Sequence, residues 1–386
     1  MAEQQRQQQS NIGISRRHFM HGAAAGVLAS GAIGQLAAAQ TASAPGGKKI
    51  GYALVGLGNL TIKQILPALK EAKLSKCTAL VSGDPAKAKK LAKEFGVDES
   101  KGIYNYENYD TIKDNPDVDV IYVCLPNGMH AEYTVRGAKA GKHILCEKPM
   151  ANTAAECQQM IDACREAKRK LMIAYRLHYE PINTTAIKMC REKVMAQPRT
   201  INAEAGFNMN VQDPNKLPWR LNKKLAGGGA MYDIGIYALN ATRYLTGEEP
   251  TEVNAMSYTP KDDPRFVEVE DEITWQLKFP SGVLANCSTS YSHGANRFRV
   301  AGRDGFIEAE PFLSYSNLRL TKVAKGKAEP LDIPQINHFA AEFDHFSECV
   351  MQDKESLTPG EEGLKDMKVI EAIYEAVRTG KTVKLA

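Results

Sequence analysis

The sequence predicts an α/β protein of two domains, a doubly wound parallel sheet followed by a mostly antiparallel one. Three observations carry this. Apolar runs alternate with amphipathic helical stretches from Lys49 to Tyr175, the pattern of a parallel sheet covered by helices. The first of those runs enters a glycine turn that opens a helix, Gly56-Leu57-Gly58-Asn59-Leu60-Thr61. Beyond residue 176 alternating strands take over, joined by tight turns such as Ser281-Gly282 and Asp304-Gly305. The 386 residues suffice for two domains of about 150 residues each. Residues 49–176 and 177–386 are the expected halves.

The first 39 residues stand outside both domains. A Gln-rich start, then Ser15-Arg16-Arg17-His18-Phe19-Met20, an Ala/Gly run and Ala37-Ala38-Ala39 make a twin-arginine export signal. Residues 22–39 are too weakly apolar to hold a bilayer. Cleavage is expected after Ala39, with a periplasmic address, the export machinery as a partner, and residues 40–48 as a short arm. That route carries folded proteins. The eight cysteines agree: none sits in a CxxC pair. Cys157 and Cys164 share a helix at about 10 Å by helical rise, too far to bridge. They read as buried free thiols of a protein folded in a reducing compartment, and no metal is expected. Hydrophobic content of 43% and charged content of 24% are those of a soluble globular protein, and the net charge of +4 is not gathered into a basic tract. Nucleic acid or anionic membrane as the main partner is therefore unsupported.

In order, Lys49–Val55 is the first strand, and Ile62, Ile65, Leu66 and Leu69 give the helix after it an apolar face. Strand, glycine turn and helix are the setting that a Rossmann dinucleotide fingerprint needs, with Gly56 and Gly58 admitting the pyrophosphate to the helix start. The third glycine of that fingerprint is Thr61 here. The second strand, Cys77–Val81, ends on Ser82-Gly83 where an NAD site puts an acid for the ribose hydroxyl. Ser82 with Lys87 one turn on suits a 2′-phosphate, so NADP is favoured. Asp84-Pro85 reads as an N-cap with proline at the first helical position. A short strand follows at Ile103–Tyr104, then a helix ending at Pro116. The strand Val118–Val123 leads into the loop Leu125-Pro126-Asn127-Gly128-Met129-His130 at the same sheet edge. After a helix to Ala140, the strand through Ile144, Leu145 and Cys146 delivers Glu147 and Lys148 to that edge, stopped by Pro149. Thr153 and Glu156 form a capping box, and Leu171–Tyr175 closes the first sheet. In the second half a helix opens at Arg176–Pro181. Strands are expected at Thr200–Phe207, Glu252–Tyr258, Glu272–Phe279, Val283–Ser290, Arg297–Ala301 and Phe306–Ala309. One helix, Ala230–Leu245, enters through Gly227-Gly228-Gly229, and a final helix over roughly 359–378 ends at Gly380.

Ligands of an open doubly wound sheet sit at the carboxyl ends of its strands, which makes Lys148 a functional lysine. Asp233 and Tyr237 are four apart on the Ala230 helix and share a face. Removing hydride from an alcohol carbon requires a base for the hydroxyl proton. A free tyrosine, with a pKa of about 10, needs a neighbouring cation to serve near neutrality. Lys148 can supply it, while Asp233 orients the substrate hydroxyl or the lysine. His178 is the next candidate base.

These stretches, with Ala174-Tyr175-Arg176-Leu177-His178-Tyr179, Trp219-Arg220, Pro264–Asp271 and Pro359–Gly363, resemble the Gfo/Idh/MocA oxidoreductases, specifically the glucose–fructose oxidoreductase branch. The resemblance runs over residues 49–386. It implies a Rossmann domain plus an α/β domain with a large, mostly antiparallel open sheet, and tightly bound NADP. It implies Lys148 and Tyr237 as the acid–base pair, with Asp233 beside them and Tyr179, Asp233 and Tyr237 on the substrate. Around the cofactor it implies Gly56, Gly58, Asn59, Leu60, Ser82, Lys87, Leu125, Pro126, Asn127, His130, Glu147, Lys148, Arg176, Trp219 and Arg220. It implies sugar substrates, an aldose going to its lactone and a second sugar to a polyol, and a homo-oligomer through the C-terminal sheet. Gln40–Lys48 is shorter than the arm with which that branch embraces a neighbouring subunit, which leaves dimer and tetramer both open. Redox-transient hydrolysis of a glycoside, ordinary NADP-dependent aldose dehydrogenation and non-catalytic sugar binding are the alternatives. Retention of both acid–base groups opposes the last.

Overall fold

In the computed structural model, which describes residues 47–213 and 216–385, six parallel strands form the first sheet. They are β1 (Ile50–Val55), β2 (Ser75–Val81), β3 (Ile103–Tyr104), β4 (Val120–Val123), β5 (His143–Glu147) and β6 (Leu171–Ala174), in the order β3-β2-β1-β4-β5-β6. The order reverses between β1 and β4, the switch point at which such sheets bind ligands. The expected export signal and most of the arm lie outside the described residues.

Both faces of this sheet are buried, as a parallel sheet requires. Tyr52, Leu54, Val120, Tyr122 and Leu145 face one side, against α1 (Leu66–Glu71) and α2 (Pro85–Phe95). Ala53, Val55, Ile121, Val123, Ile144 and Cys146 face the other, against α3 (His130–Lys139) and α4 (Ala154–Glu166). Asp84 caps α2 by accepting from the N–H of Lys87 at 3.0 Å, and the Thr153–Glu156 capping box is complete. The stretch before Pro116 is only a 3-10 turn, Tyr109–Asp114, rather than a full helix.

After α5 (Pro181–Arg191) comes the second sheet. Its strands are β7 (Thr200–Gly206), β8 (Glu252–Tyr258), β9 (Glu272–Lys278), β10 (Leu284–Ser290), β11 (Ala295–Gly302), β12 (Gly305–Ala309), β13 (Leu320–Ala324), β14 (Lys327–Leu331) and β15 (Val383–Lys384). They run β14-β13-β12-β11-β7-β10-β9-β8-β15, antiparallel except where β7 and β10 pair in parallel. One face packs on α7 (Ile236–Thr246), which follows the short α6 (Lys223–Ala226) and a π-turn at Met231–Gly235. The other face is open, with Asn202, Asn286 and Gln276 aligned across it and Met256 74% exposed.

The C-terminal end differs from the sequence expectation. Two helices close the chain, not one: α8 (His338–Met351) precedes α9 (Gly360–Thr379). Phe339, Phe343 and Phe346 of α8 return to the first sheet and pack beside α1, where Phe343 meets Tyr52 and Tyr122 edge-on at 5.0 and 5.5 Å. Phe339, Phe343, Phe346 and Val350 spell that helical stripe in the sequence.

Candidate active site

β5 brings Glu147 and Lys148 to the carboxyl edge of the first sheet. Glu147 is buried and accepts from the Tyr122 hydroxyl at 2.6 Å and from the Lys148 N–H at 3.2 Å. Burial pushes its carboxyl up, and the Tyr122 hydroxyl and the Lys148 and Arg176 charges pull it back. The side chain of Lys148 crosses to the second domain. Its ammonium donates to the backbone carbonyl of Asp233 at 2.6 Å and lies 4.4 Å from the ring centroid of Tyr237. The two sequence-predicted acid–base groups therefore stand together.

The helix bearing Asp233 and Tyr237 is not uniform. Asp233 lies within the π-turn and Tyr237 within α7, so the simple four-residue face expected from sequence is replaced by a widened turn. It is the main-chain carbonyl of that turn, not the Asp233 carboxylate, that receives Lys148. The carboxylate has its own partners: Oδ2 accepts from Arg220 Nε at 2.8 Å and from the Tyr291 hydroxyl at 3.1 Å. Arg220 also stacks on Trp219, 4.5 Å from its ring. Arg220, expected on the cofactor, is thus drawn to Asp233 by charge pairing.

Arg176 is the second cation of the site. It is buried, and its Nε donates to the Tyr237 hydroxyl oxygen at 3.3 Å. Its remaining nitrogens reach the carbonyls of Leu313 and Ser314 and Nε2 of His338. The guanidinium is flanked by the rings of Tyr237 and Tyr315, at 5.1 and 4.9 Å. Burial pushes the Tyr315 phenol up to about 12, with the neighbouring Tyr237 adding to the rise.

The dinucleotide end fits the fingerprint. Gly56 has φ +93°, and a Cβ there would stand 2.4 Å from the Cys124 carbonyl, so only glycine serves where the first turn meets β4. A Cβ on Gly58 would meet nothing within 4 Å, which leaves open space above the helix start formed by Asn59 and Leu60. Thr61, in place of the third glycine, turns its hydroxyl back to the Gly56 carbonyl at 2.7 Å and braces the turn. At the end of β2 the Ser82 hydroxyl accepts from the Asp84 N–H at 3.0 Å, and the Asp84 carboxylate is held by its cap. Lys87 enters no ion pair among the described residues and is exposed. A strand end with a hydroxyl, a free lysine and a committed acid fits a phosphorylated ribose.

Packing gives four of the expected residues partners away from the reacting groups. His130, expected on the cofactor, is fully buried, with its ring nitrogens 2.9 and 2.8 Å from the carbonyls of Pro149 and Leu125. It is a strut that ties the β4 loop to the turn after Lys148. Asn127 likewise donates to the Ala226 carbonyl at 2.8 Å and holds the same loop to α6, with Leu125 and Pro126 leading into it. Tyr179, expected on the substrate, packs on His345 with its hydroxyl toward Thr358 and Met172. It has no hydrogen bond or ring contact with Lys148, Asp233 or Tyr237 among the described residues. His178 is no base for this site either: it is bound to Asn240 at 3.0 Å, and burial pushes it down to about 4.

Sequence reasoning missed Tyr291, Tyr315, His338 and Glu342. Glu342, one turn along α8 from His338, is fully buried, and neither carboxyl oxygen has a hydrogen-bond partner among the described residues. Burial and the nearby Glu147 push it well above the usual carboxylate range.

Residues 50–175 match the sequence model of an oxidoreductase family with an NAD-binding Rossmann fold, and residues 192–385 match that family's C-terminal alpha/beta domain. The chain is 33% identical to D-xylose 1-dehydrogenase [NADP(+)] from Haloarcula marismortui over 337 residues, 86% of this chain and 92% of that protein. Its structure is similar to that of aldose–aldose oxidoreductase from Caulobacter crescentus in complex with glycerol. The TM-score is 0.85 at 49% identity, over 88% of this chain and 100% of that one. A 3-ketoreductase from Actinomadura kijaniata, at 24% identity and a TM-score of 0.75 over 85% and 98% of the two chains, shares the fold. With both halves matched and the strand order, glycine turn and Lys148 in place, the chain belongs to the Gfo/Idh/MocA family and is a sugar oxidoreductase.

Proposed function

We propose that the protein is a periplasmic aldose oxidoreductase that keeps NADP(H) bound through two half-reactions, oxidising one aldose at C1 to its lactone and reducing a second sugar to a polyol. The observation that carries this is the pair of cations on Tyr237: Arg176 at its oxygen and Lys148 over its ring. Both stabilise negative charge on the phenol oxygen as a proton leaves it, the condition for a tyrosine to act as base and then return the proton as acid. Asp233, fixed through Oδ2, keeps Oδ1 without a hydrogen bond among the described residues, and that oxygen can receive a sugar hydroxyl. Gly56, Gly58, Ser82 and Lys87 hold the cofactor, which when bound supplies the nicotinamide that accepts and gives back hydride. The likeness to aldose–aldose oxidoreductase supports two sugars as the substrate pair. The likeness to an NADP-dependent xylose dehydrogenase supports NADP and favours one other reading, an ordinary aldose dehydrogenase.

The address follows from Arg16-Arg17: outside the cytoplasm a lost cofactor is not replaced, so reoxidation by a second sugar in place is the economical chemistry. The open face of the second sheet is proposed to pair with a second copy of the chain. The test is to denature purified protein and identify the released nucleotide, then incubate the intact protein with two sugars and no added cofactor. Lactone and polyol in equal amounts, with parallel initial-rate lines, are expected. Turnover only on addition of NADP makes it an ordinary dehydrogenase, and hydrolysis products make it a glycosidase.

A further inference from the structure

Two adjacent carboxyl groups, Glu270 and Asp271, converge on Asp233 from different directions, and neither enters the chemistry above. Glu270 lies in the loop before β9. Its Oε2 accepts from the N–H of Gly229 at 2.9 Å, and its Oε1 accepts from the N–H of Met231 at 3.2 Å and the hydroxyl of Tyr374 at 2.8 Å. Those two N–H groups open the helical segment that carries Asp233 and Tyr237, where donors have no partner within the helix and a carboxylate meets the positive end of the dipole. The approach is close: a Cβ on Gly229 would stand 2.0 Å from the Glu270 carbonyl. Burial pushes the Glu270 carboxyl up, and the donors at Gly229, Tyr374 and Met231 pull it back.

Asp271 is buried and works from the other side. Its Oδ1 accepts from the Tyr291 N–H at 3.1 Å, its Oδ2 accepts from the Ser292 hydroxyl at 2.7 Å, and its backbone carbonyl also receives the Tyr291 N–H, at 3.1 Å. The Tyr291 hydroxyl is in turn one of the two donors to the Asp233 carboxylate. Glu270 thus fixes the start of the turn whose carbonyl receives Lys148, and Asp271 holds the backbone of the tyrosine whose hydroxyl orients the carboxylate.

We propose that Glu270 and Asp271 form a positioning pair that sets where Asp233 stands relative to Lys148 and the substrate hydroxyls. The proposal rests on the reading of Lys148, Asp233 and Tyr237 as the reacting site. It makes a segment some 40 residues away in sequence, with no reactive group of its own, responsible for the geometry of that site.

The test is a pair of double-mutant cycles on the full chain with its bound cofactor, reading kcat, KM for one aldose and Tm. Glu270→Gln swaps one acceptor oxygen for a donor that opposes the turn. It should lower kcat on the order of tenfold or more, the scale on which small misplacements act, with KM moved less. In an Asp233→Asn background the same change should cost little further, because residues acting as one unit fail together. Asp271→Ala, which removes both side-chain acceptors of the other arm, should behave the same way in the two backgrounds. Equal losses in both backgrounds would mean that the pair contributes only stability, and would overturn the proposal. If Glu270→Gln lowers Tm so far that the protein is not folded, Tyr374→Phe, which removes one donor from the same carboxylate, takes its place in the cycle. Wild-type turnover in both Asp233→Asn and Tyr237→Phe overturns the reading of the site itself. Impaired turnover there with an additive Glu270 effect overturns only the positioning pair.

Discussion

Replacing Lys148 by methionine tests whether its charge or its bulk matters. The ammonium lies 4.4 Å from the Tyr237 ring centroid. With the phenolate charge spread over ring and oxygen at about that separation, the attraction is about 4 kcal/mol at an effective dielectric of about 20 and about 2 kcal/mol at about 40, the range for a part-buried lysine. With about 1.4 kcal/mol per factor of ten, Lys148→Met should slow the chemical step between about 20- and 500-fold. Methionine keeps the apolar stem, so Tm should hold. The assay is single-turnover reduction of the bound nucleotide, followed by absorbance after mixing with one aldose. Turnover within threefold of wild type would refute the assignment. Arg176, closer at 3.3 Å to the phenol oxygen and more deeply buried, is the group that would then carry the field.

Other perturbations read separate parts of the molecule. Ser82→Asp should shift the released nucleotide from NADP(H) toward NAD(H), because a carboxylate repels the 2′-phosphate; release of NAD(H) alone from wild type would contradict the ribose-site reading. Asp366 is fully buried and accepts from Arg243, Tyr175 and Asn240 at 2.7, 2.7 and 3.0 Å. Asp366→Asn should therefore cost about 3–5 kcal/mol, as breaking a buried ion pair does, measured by chemical denaturation. Glu342 has its carboxyl raised in the folded state, so its contribution to stability is fully present below its unfolded value and is lost as pH rises. Glu342→Gln should therefore gain Tm relative to wild type between pH 5 and pH 8, and an unchanged difference across that range would show that the acid has a partner.

The elements that sequence made legible are those whose signal is local. Strand and Gly56 turn, the Asp84 cap, the Thr153–Glu156 box and the strand end at Lys148 each depend on residues within a few positions of one another, and each took its expected form, while the helix after the Gly56 turn opens as a π-turn at Thr61–Ile65. The association of Lys148 with Tyr237 was legible only because both residue types are needed for one reaction. What escaped was set by distant packing. The Tyr291 hydroxyl reaches Asp233 across 58 positions and Arg176 reaches Tyr237 across 61, and no periodicity encodes either. The π-turn at Met231–Gly235 escaped for a related reason: the glycine loop before it is pinned by Glu270, so tertiary contacts set the turn's width. His130 and Asn127 sit on the expected loop, but the Pro149 and Ala226 carbonyls they hold lie on other segments.

The return of α8 to the first sheet has a consequence for biosynthesis. Until Phe339, Phe343 and Phe346 leave the ribosome, the apolar face made by Tyr52, Val120, Tyr122 and Leu145 lacks part of its cover. The N-terminal domain therefore cannot finish folding while the chain is being made, although its own strands emerge first. A fragment ending near residue 176 should be sticky and short-lived in the cytosol. A chain whose last segments complete its first layer matures all at once, after synthesis.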